Sequence, residues 1–261
     1  MDNKKALLAV SFGTSYPETR KVTIDALEET LYAAFPDRTG FSAWTSGFIR
    51  KKLLKTTGEK ILSVEEALEA MAEDGFSDLL VVPTHLLEGN EFDIKICSVL
   101  ETYKDRFAKI TVARPLIADE KDAEKLAAVM EEIYAGVKEN EMLVLMGHGS
   151  EKEECAAYKW LAGCFEKDGH ENFALGTVEF EPGFEPVMEK IRERKPEKVY
   201  LAPLLVVAGD HATNDMAGDE PDSWKNQIAA EGCEVECILK GLGEFEAVRA
   251  LYTAHAKEAL A

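Results

Sequence analysis

Four side chains that can bind a metal or move a proton, Glu91, His148, Glu179 and His211, stand at or just past the ends of apolar, strand-like runs. Two imidazoles and a carboxylate are a sound ligand set for a divalent first-row metal. Neutral imidazole is a borderline nitrogen donor, and a carboxylate lowers the local charge without the grip of a thiolate. A further carboxylate can accept a proton. Each residue alone has a plainer explanation, since a strand-end His can cap a helix and a Glu can pair with a Lys. Spacing does not prove convergence; recurrence of these residues at matching strand ends is what sets them apart.

The elements that must position them follow from hydrophobic runs. The segment 199–208 is apolar apart from the Tyr200 hydroxyl, which predicts a strand buried on both faces until Gly209 and Asp210 break it. His211 then falls at the C-terminal edge, where ligands bind in open α/β sheets. Behind it Asn214, Asp215, Asp219, Asp222, Ser223, Trp224 and Lys225 supply more polar groups than a turn requires, although a capped strand-to-helix connection is the ordinary alternative. Further strands are predicted over 5–12, 41–45, 79–84, 109–115, 142–146, 173–178 and 233–240. Helical segments alternate with them, one opened by the capping-box pair Ser63 and Glu66, and a closing helix is predicted over 244–259. Eight strands alternating with helices predict an α/β protein with parallel sheets.

The pattern restarts halfway. Phe12-Gly13-Thr14 falls on His148-Gly149-Ser150, and 83–91 falls on 203–211 without a gap, which sets Glu91 opposite His211. Thr45 then lies opposite Glu179. The expectation is two similar lobes, 1–139 and 140–261, each with a four-stranded parallel sheet flanked by helices, facing one another across a cleft; the closing helix is free to pack on the N-terminal lobe.

Composition narrows the function. With 261 residues, 46% of them hydrophobic, the chain can bury a large core. A formal net charge of −19, from 49 acidic against 30 basic residues, opposes nucleic-acid binding. The first apolar run, 6–10, is too short for a signal sequence, and no run reaches the ~18 apolar residues of a membrane span, so a soluble cytoplasmic protein with no membrane partner is expected. Cys97, Cys155, Cys164, Cys233 and Cys237 are odd in number and fit neither C-x-x-C nor a zinc knuckle, so reduced thiols are expected, with Cys233 and Cys237 as small hydrophobes on one strand face. The loop Ser11-Phe12-Gly13-Thr14-Ser15 before a Pro17-initiated helix offers backbone N–H groups to an anion, or is a tight capped turn; no Walker lysine follows.

Taken together, S-F-G-T-S at 11–15, T-S-G at 45–47, G-N-E-F at 89–92, M-G-H-G at 146–149, V-E at 178–179 and V-A-G-D-H-A-T-N-D-M at 207–216 with the trailing D-S-W-K at 222–225 resemble the sirohydrochlorin cobaltochelatases of anaerobic vitamin B12 (cobalamin) synthesis. The resemblance spans nearly the whole chain, and the M-G-H-G and G-D-H motifs are its specific part. It implies a chelatase-like fold, with His148, Glu179 and His211 as metal ligands and Glu91 as the other active-site carboxylate. Phe92 stands where Tyr is common in the family.

The activity so implied is a lyase-class insertion of Co²⁺ into sirohydrochlorin, with Co²⁺ as substrate metal and no organic cofactor. His148, Glu91 and His211 are the expected catalytic residues, and Ser11, Gly13, Thr14 and Ser15 the expected tetrapyrrole-binding ones. The substrate carries many carboxylates and the protein is acidic, so local donors must outweigh the net field; Arg50, Lys51 and Lys52 are the densest basic cluster. Two alternatives stand: an iron or nickel chelatase acting on the same tetrapyrrole, and a non-catalytic metal or tetrapyrrole carrier, which could dispense with Glu91. A homo-oligomer is left open.

Overall fold

The computed structural model describes residues 4–152 and 156–261. Its eight strands are β1 (Lys4–Ser11), β2 (Thr39–Trp44), β3 (Phe76–Pro83), β4 (Lys109–Val112), β5 (Glu141–Gly147), β6 (Phe173–Thr177), β7 (Lys198–Pro203) and β8 (Glu234–Cys237). They form two all-parallel sheets with the orders β2-β1-β3-β4 and β6-β5-β7-β8. The same strand order in both is what the sequence repeat predicts. Central strands are apolar through their middles because helices cover both faces: Leu7, Leu8 and Val10 in β1, and Leu143, Val144 and Leu145 in β5, are wholly buried. Each such side chain contributes about 1.5–3 kcal/mol on leaving water.

By internal contacts the chain divides into one unit comprising residues 1–118 and 243–261 and another comprising 119–242. The helix Glu120–Ile133, which precedes the expected boundary near Asn140, therefore belongs with the second sheet. The closing helix Glu246–Leu260 belongs with the first, where the buried Tyr252 hydroxyl donates to the carbonyls of Thr84 and His85 just past β3. The Ser63 and Glu66 capping box forms as predicted and starts the helix Val64–Glu73.

Two expectations need correction. β7 ends at Pro203, not Ala208, because its partner β5 ends at Gly147; the Leu204 N–H makes the last bond across, to the Met146 carbonyl. Of the apolar residues 204–208, Leu204 and Ala208 are buried and the three between them are half-buried. They wrap over Gly241, where an added Cβ would lie 2.6 Å from the Val206 carbonyl oxygen. The second correction is a one-residue slip in the repeat. Ser46 N–H donates to the Phe12 carbonyl as Glu179 N–H donates to that of His148, so Ser46, not Thr45, occupies the position of Glu179.

Candidate functional site

His148 follows β5 directly, and Glu179 lies two residues beyond β6, with its N–H bonded to the His148 carbonyl at 2.9 Å. The neighbouring Gly149 has φ +104°, and a Cβ there would come within 1.7 Å of the Glu179 carbonyl oxygen. Only glycine lets these two strand ends approach so closely. Gly147 is held as tightly, since its Cβ would lie 2.5 Å from the Tyr158 ring, and the Tyr158 hydroxyl accepts from the Gly149 N–H at 3.2 Å. The glycines of M-G-H-G thus place the histidine between them.

His211 enters from the connection after β7. Gly209 N–H donates to the Val207 carbonyl and closes a tight turn, after which the chain coils with His211 in its first turn and continues as the π-helical segment Ala212–Met216. The first unit repeats this device: Gly89 N–H donates to the Leu87 carbonyl, Glu91 stands in the first turn, and Asp93–Cys97 is π-helical. Widened turns of this kind are concentrated at functional sites.

The His148 and His211 rings meet edge to face, 4.8 Å between centroids. His211 Nδ1 lies 2.7 Å from Asp215 Oδ2. A carboxylate only accepts, so the neutral ring carries its hydrogen on Nδ1 and leaves the Nε2 lone pair open for a metal. Among the described residues no three His, Cys, Asp or Glu side chains converge as a metal cluster, so the paired imidazoles come together while the Glu179 carboxylate does not complete a three-ligand set with them. A donor pair of neutral nitrogens backed by a carboxylate suits Co²⁺, Ni²⁺ or Fe²⁺ held loosely enough to be passed on. In the sequence Asp215 stood out only as one of the polar residues behind His211. Asp215→Asn is expected to weaken Co²⁺ binding by ~10–100-fold without unfolding the protein, as measured by calorimetry with circular dichroism as control.

Much of the polar density behind His211 is structural. Ser223 caps the helix Trp224–Ala230, Trp224 is buried and stacks on Phe184 at 4.1 Å, Lys225 pairs with Asp219 at 3.0 Å, and the Asn226 amide donates to the carbonyls of Asp219 and Glu220.

In the first unit Glu91 Oε2, Thr45 Oγ1 and both ring nitrogens of His85 are buried without a hydrogen-bond partner. Buried polar atoms are rarely left so in a folded protein. Ser11 is 1% exposed and its hydroxyl is shared with Thr84 at 2.8 Å, while Thr14 Oγ1 accepts from Tyr16 N–H. Gly13 repeats the φ of +104° seen at Gly149, and Ser15 accepts from Lys52 at 3.1 Å. Arg50 is turned to Glu66 at 3.0 Å, which leaves Lys51 and Lys52 as the exposed part of the basic cluster. Phe92 is buried in the first unit's core, so the family's tyrosine hydroxyl has no counterpart here.

Burial pushes the His85 pKa down to about 4. A His in the unfolded chain titrates near ~6.5, so between these values the unfolded state binds the extra proton. The contribution of neutral His85 is present above pH ~6.5 and is lost as pH falls to about 4, worth about 3 kcal/mol. Glu28, pushed up to about 7 by burial, acts with opposite sign, its contribution being lost as pH rises through that value. Urea unfolding of wild type and His85→Leu from neutral to acid pH isolates the first effect, since the variant should lack that acid loss.

Burial also raises the thiols of Cys97, Cys164, Cys233 and Cys237, which are all unpaired; Cys233 and Cys237 pack with the second unit's core. Cys155 lies outside the described residues. Replacing all five with Ser or Ala is expected to leave metal insertion intact in folded protein; loss of insertion would point to a sulfur ligand.

A sequence model of the cobalt chelatase (CbiK) family matches residues 5–261. The sirohydrochlorin cobaltochelatase of Salmonella typhimurium is 37% identical over 257 residues, covering 98% of this chain and 97% of the relative. Sirohydrochlorin cobaltochelatase CbiKC of Nitratidesulfovibrio vulgaris is 31% identical over 246 residues, covering 93% of this chain and 86% of the relative. Among solved structures, SirB from Bacillus subtilis with Fe³⁺ matches with a TM-score of 0.69 at 17% identity, covering 99% of this chain and 96% of that one. CbiX, described as the terminal enzyme of siroheme biosynthesis in denitrifying bacteria, matches with a TM-score of 0.55 at 19% identity, covering 98% of this chain and 100% of that one. At these identities the structural likeness speaks for the two-sheet fold.

Proposed function

The chain belongs to the cobalt chelatase (CbiK) family, and from that membership we infer that it is a sirohydrochlorin cobaltochelatase, inserting Co²⁺ into the tetrapyrrole in cobalamin biosynthesis. The observation that carries the metal half of this reading is the His148–His211 pair at 4.8 Å, with His211 oriented by Asp215. Glu179, one backbone hydrogen bond from His148, is the third ligand once its side chain turns toward the pair.

The chemistry asks three things of the protein: hold the cation weakly, present it to the macrocycle, and take two protons. His148, His211 and Glu179 hold Co²⁺ through neutral nitrogens and one carboxylate, a set without the thiolate that would trap it. As each pyrrolic N–H bond breaks, its electron pair stays on nitrogen to form a bond to cobalt, and the proton leaves to a base. Glu91, with a buried and unpartnered carboxylate oxygen, is that base for one proton, and the other leaves to bulk water. A carrier would have no use for it, so Glu91 favours the enzyme over the non-catalytic alternative. Among the described residues no helix is long and apolar enough to cross a membrane. The unpaired cysteines fit a reducing cytoplasm.

Anaerobic incubation of the protein with sirohydrochlorin and each of Co²⁺, Fe²⁺ and Ni²⁺, followed by the absorbance of the macrocycle, tests the reading. Fastest insertion with Co²⁺ is expected; faster insertion of Fe²⁺ or Ni²⁺ would make it a sibling chelatase, and binding without insertion would make it a carrier.

A further inference from the structure

The helix Gly47–Thr57 is unlike the rest of this acidic chain. It carries four cations, no acidic residue, and a single buried side chain, Leu53. Phe48, Lys51, Lys52 and Lys55 lie at i, i+3, i+4 and i+7, which puts them on one face. All four are exposed, Phe48 to 77%. Arg50, off that face, is held by Glu66, whereas among the described residues neither Lys51 nor Lys55 forms an ion pair.

A second exposed aromatic residue is tied to the start of this helix through its backbone. Phe12, 49% exposed, follows β1, and its carbonyl accepts the N–H of Ser46, the helix cap. Lys52 reaches back to Ser15 in the same loop. In the repeat, Phe12 and Ser46 occupy the places of His148 and Glu179. Where the second unit carries nitrogen and carboxylate, the first carries an exposed ring and a hydroxyl. Exposed aromatic residues rimmed by unpaired lysines suit a ligand that is both apolar and anionic.

We propose that this face, Phe12 with Phe48, Lys51, Lys52 and Lys55, is the seat on which the first unit takes up the tetrapyrrole. The rings lie against the apolar plane of the macrocycle, and the lysines meet its peripheral carboxylates. The occupant is a flat polyanion, the one chemistry that matches both halves of the patch. The proposal rests on the function inferred above and goes beyond it by naming the residues that determine tetrapyrrole affinity. Phe12 and Phe48 are substrate-binding groups on this account, with no part in the chemical step.

The test is metal-free binding of sirohydrochlorin, read by its own absorbance, together with insertion kinetics, for wild type, Phe12→Ala, Phe48→Ala, and Lys51→Gln with Lys55→Gln. Loss of one buried ring contact is expected to raise Kd and KM roughly tenfold, with kcat little changed and Co²⁺ affinity unaltered. The lysine variant should raise KM and flatten its dependence on salt. Wild type that binds sirohydrochlorin but inserts no metal would overturn the inferred function and leave the binding arm to judge the seat. Wild type that inserts normally, with Phe12→Ala and Phe48→Ala binding as tightly as it does, would overturn the seat alone. Unchanged Kd accompanied by loss of a concentration-dependent dimer would assign the patch to a second copy of the chain, and would likewise overturn it. Phe12→Leu and Phe48→Leu serve if the alanine variants fold poorly, and should weaken binding less.

Discussion

Replacing His148 or His211 by alanine is expected to abolish measurable Co²⁺ insertion and to weaken Co²⁺ binding by more than the ~10–100-fold typical of losing an outer hydrogen-bond partner. These two rings are in edge-to-face contact, 4.8 Å between centroids. With one removed, the other cannot hold a labile divalent cation against water. The backbone should tolerate the change, because the bonds that hold the turn, Glu179 N–H to the His148 carbonyl and Gly209 N–H to the Val207 carbonyl, are made by main chain. Calorimetry with Co²⁺ and a stopped-flow insertion assay check both parts. His148→Ala or His211→Ala binding Co²⁺ as wild type does would refute the assignment.

The second large effect separates the two glutamates. Glu91→Gln keeps the shape of the side chain and removes its basicity, so Co²⁺ and tetrapyrrole should still bind while insertion slows by ~10²-fold or more, the usual cost of a lost general base. Glu179→Gln removes charge from a ligand instead, and should weaken Co²⁺ binding and turnover together. The structural ground for the difference is that Glu91 Oε2 is buried and unpartnered six residues after His85 in the first unit, whereas Glu179 is bonded through its backbone to His148 in the second. The opposite pattern, with Glu91→Gln losing Co²⁺ and Glu179→Gln retaining it, would exchange the two roles.

Sheet architecture was legible because parallel strands buried on both faces read as apolar runs, whereas Glu91 and His211, expected just past strand ends, each follow a connection of seven residues after β3 and β7. Gly89 and Gly209 sit at the same place in the two repeats, which is why Glu91 was matched to His211 without a gap. The end of β7 was not legible, since residues 204–208 are as apolar as a strand but leave the sheet and pass close to Gly241, a long-range contact. Glu179 was matched to Thr45 instead of Ser46 because register is set by hydrogen bonds between strands, which the linear sequence does not show. His85 escaped notice for a different reason. A histidine one residue past a Thr84 strand end looks like a loop residue, and only packing reveals that neither ring nitrogen has a partner. Asp215 could have been found, because four residues after a helical histidine is where a supporting carboxylate reaches Nδ1.

The most direct measurement is the absorption spectrum of the Co²⁺-loaded protein, recorded for wild type and for the His148→Ala, His211→Ala double variant. A site built from His148, His211 and Glu179 should give only the weak visible bands of nitrogen and oxygen ligation, and the double variant should lose them. An intense near-ultraviolet sulfur-to-cobalt band, or a wild-type spectrum that survives loss of both histidines, would contradict the account.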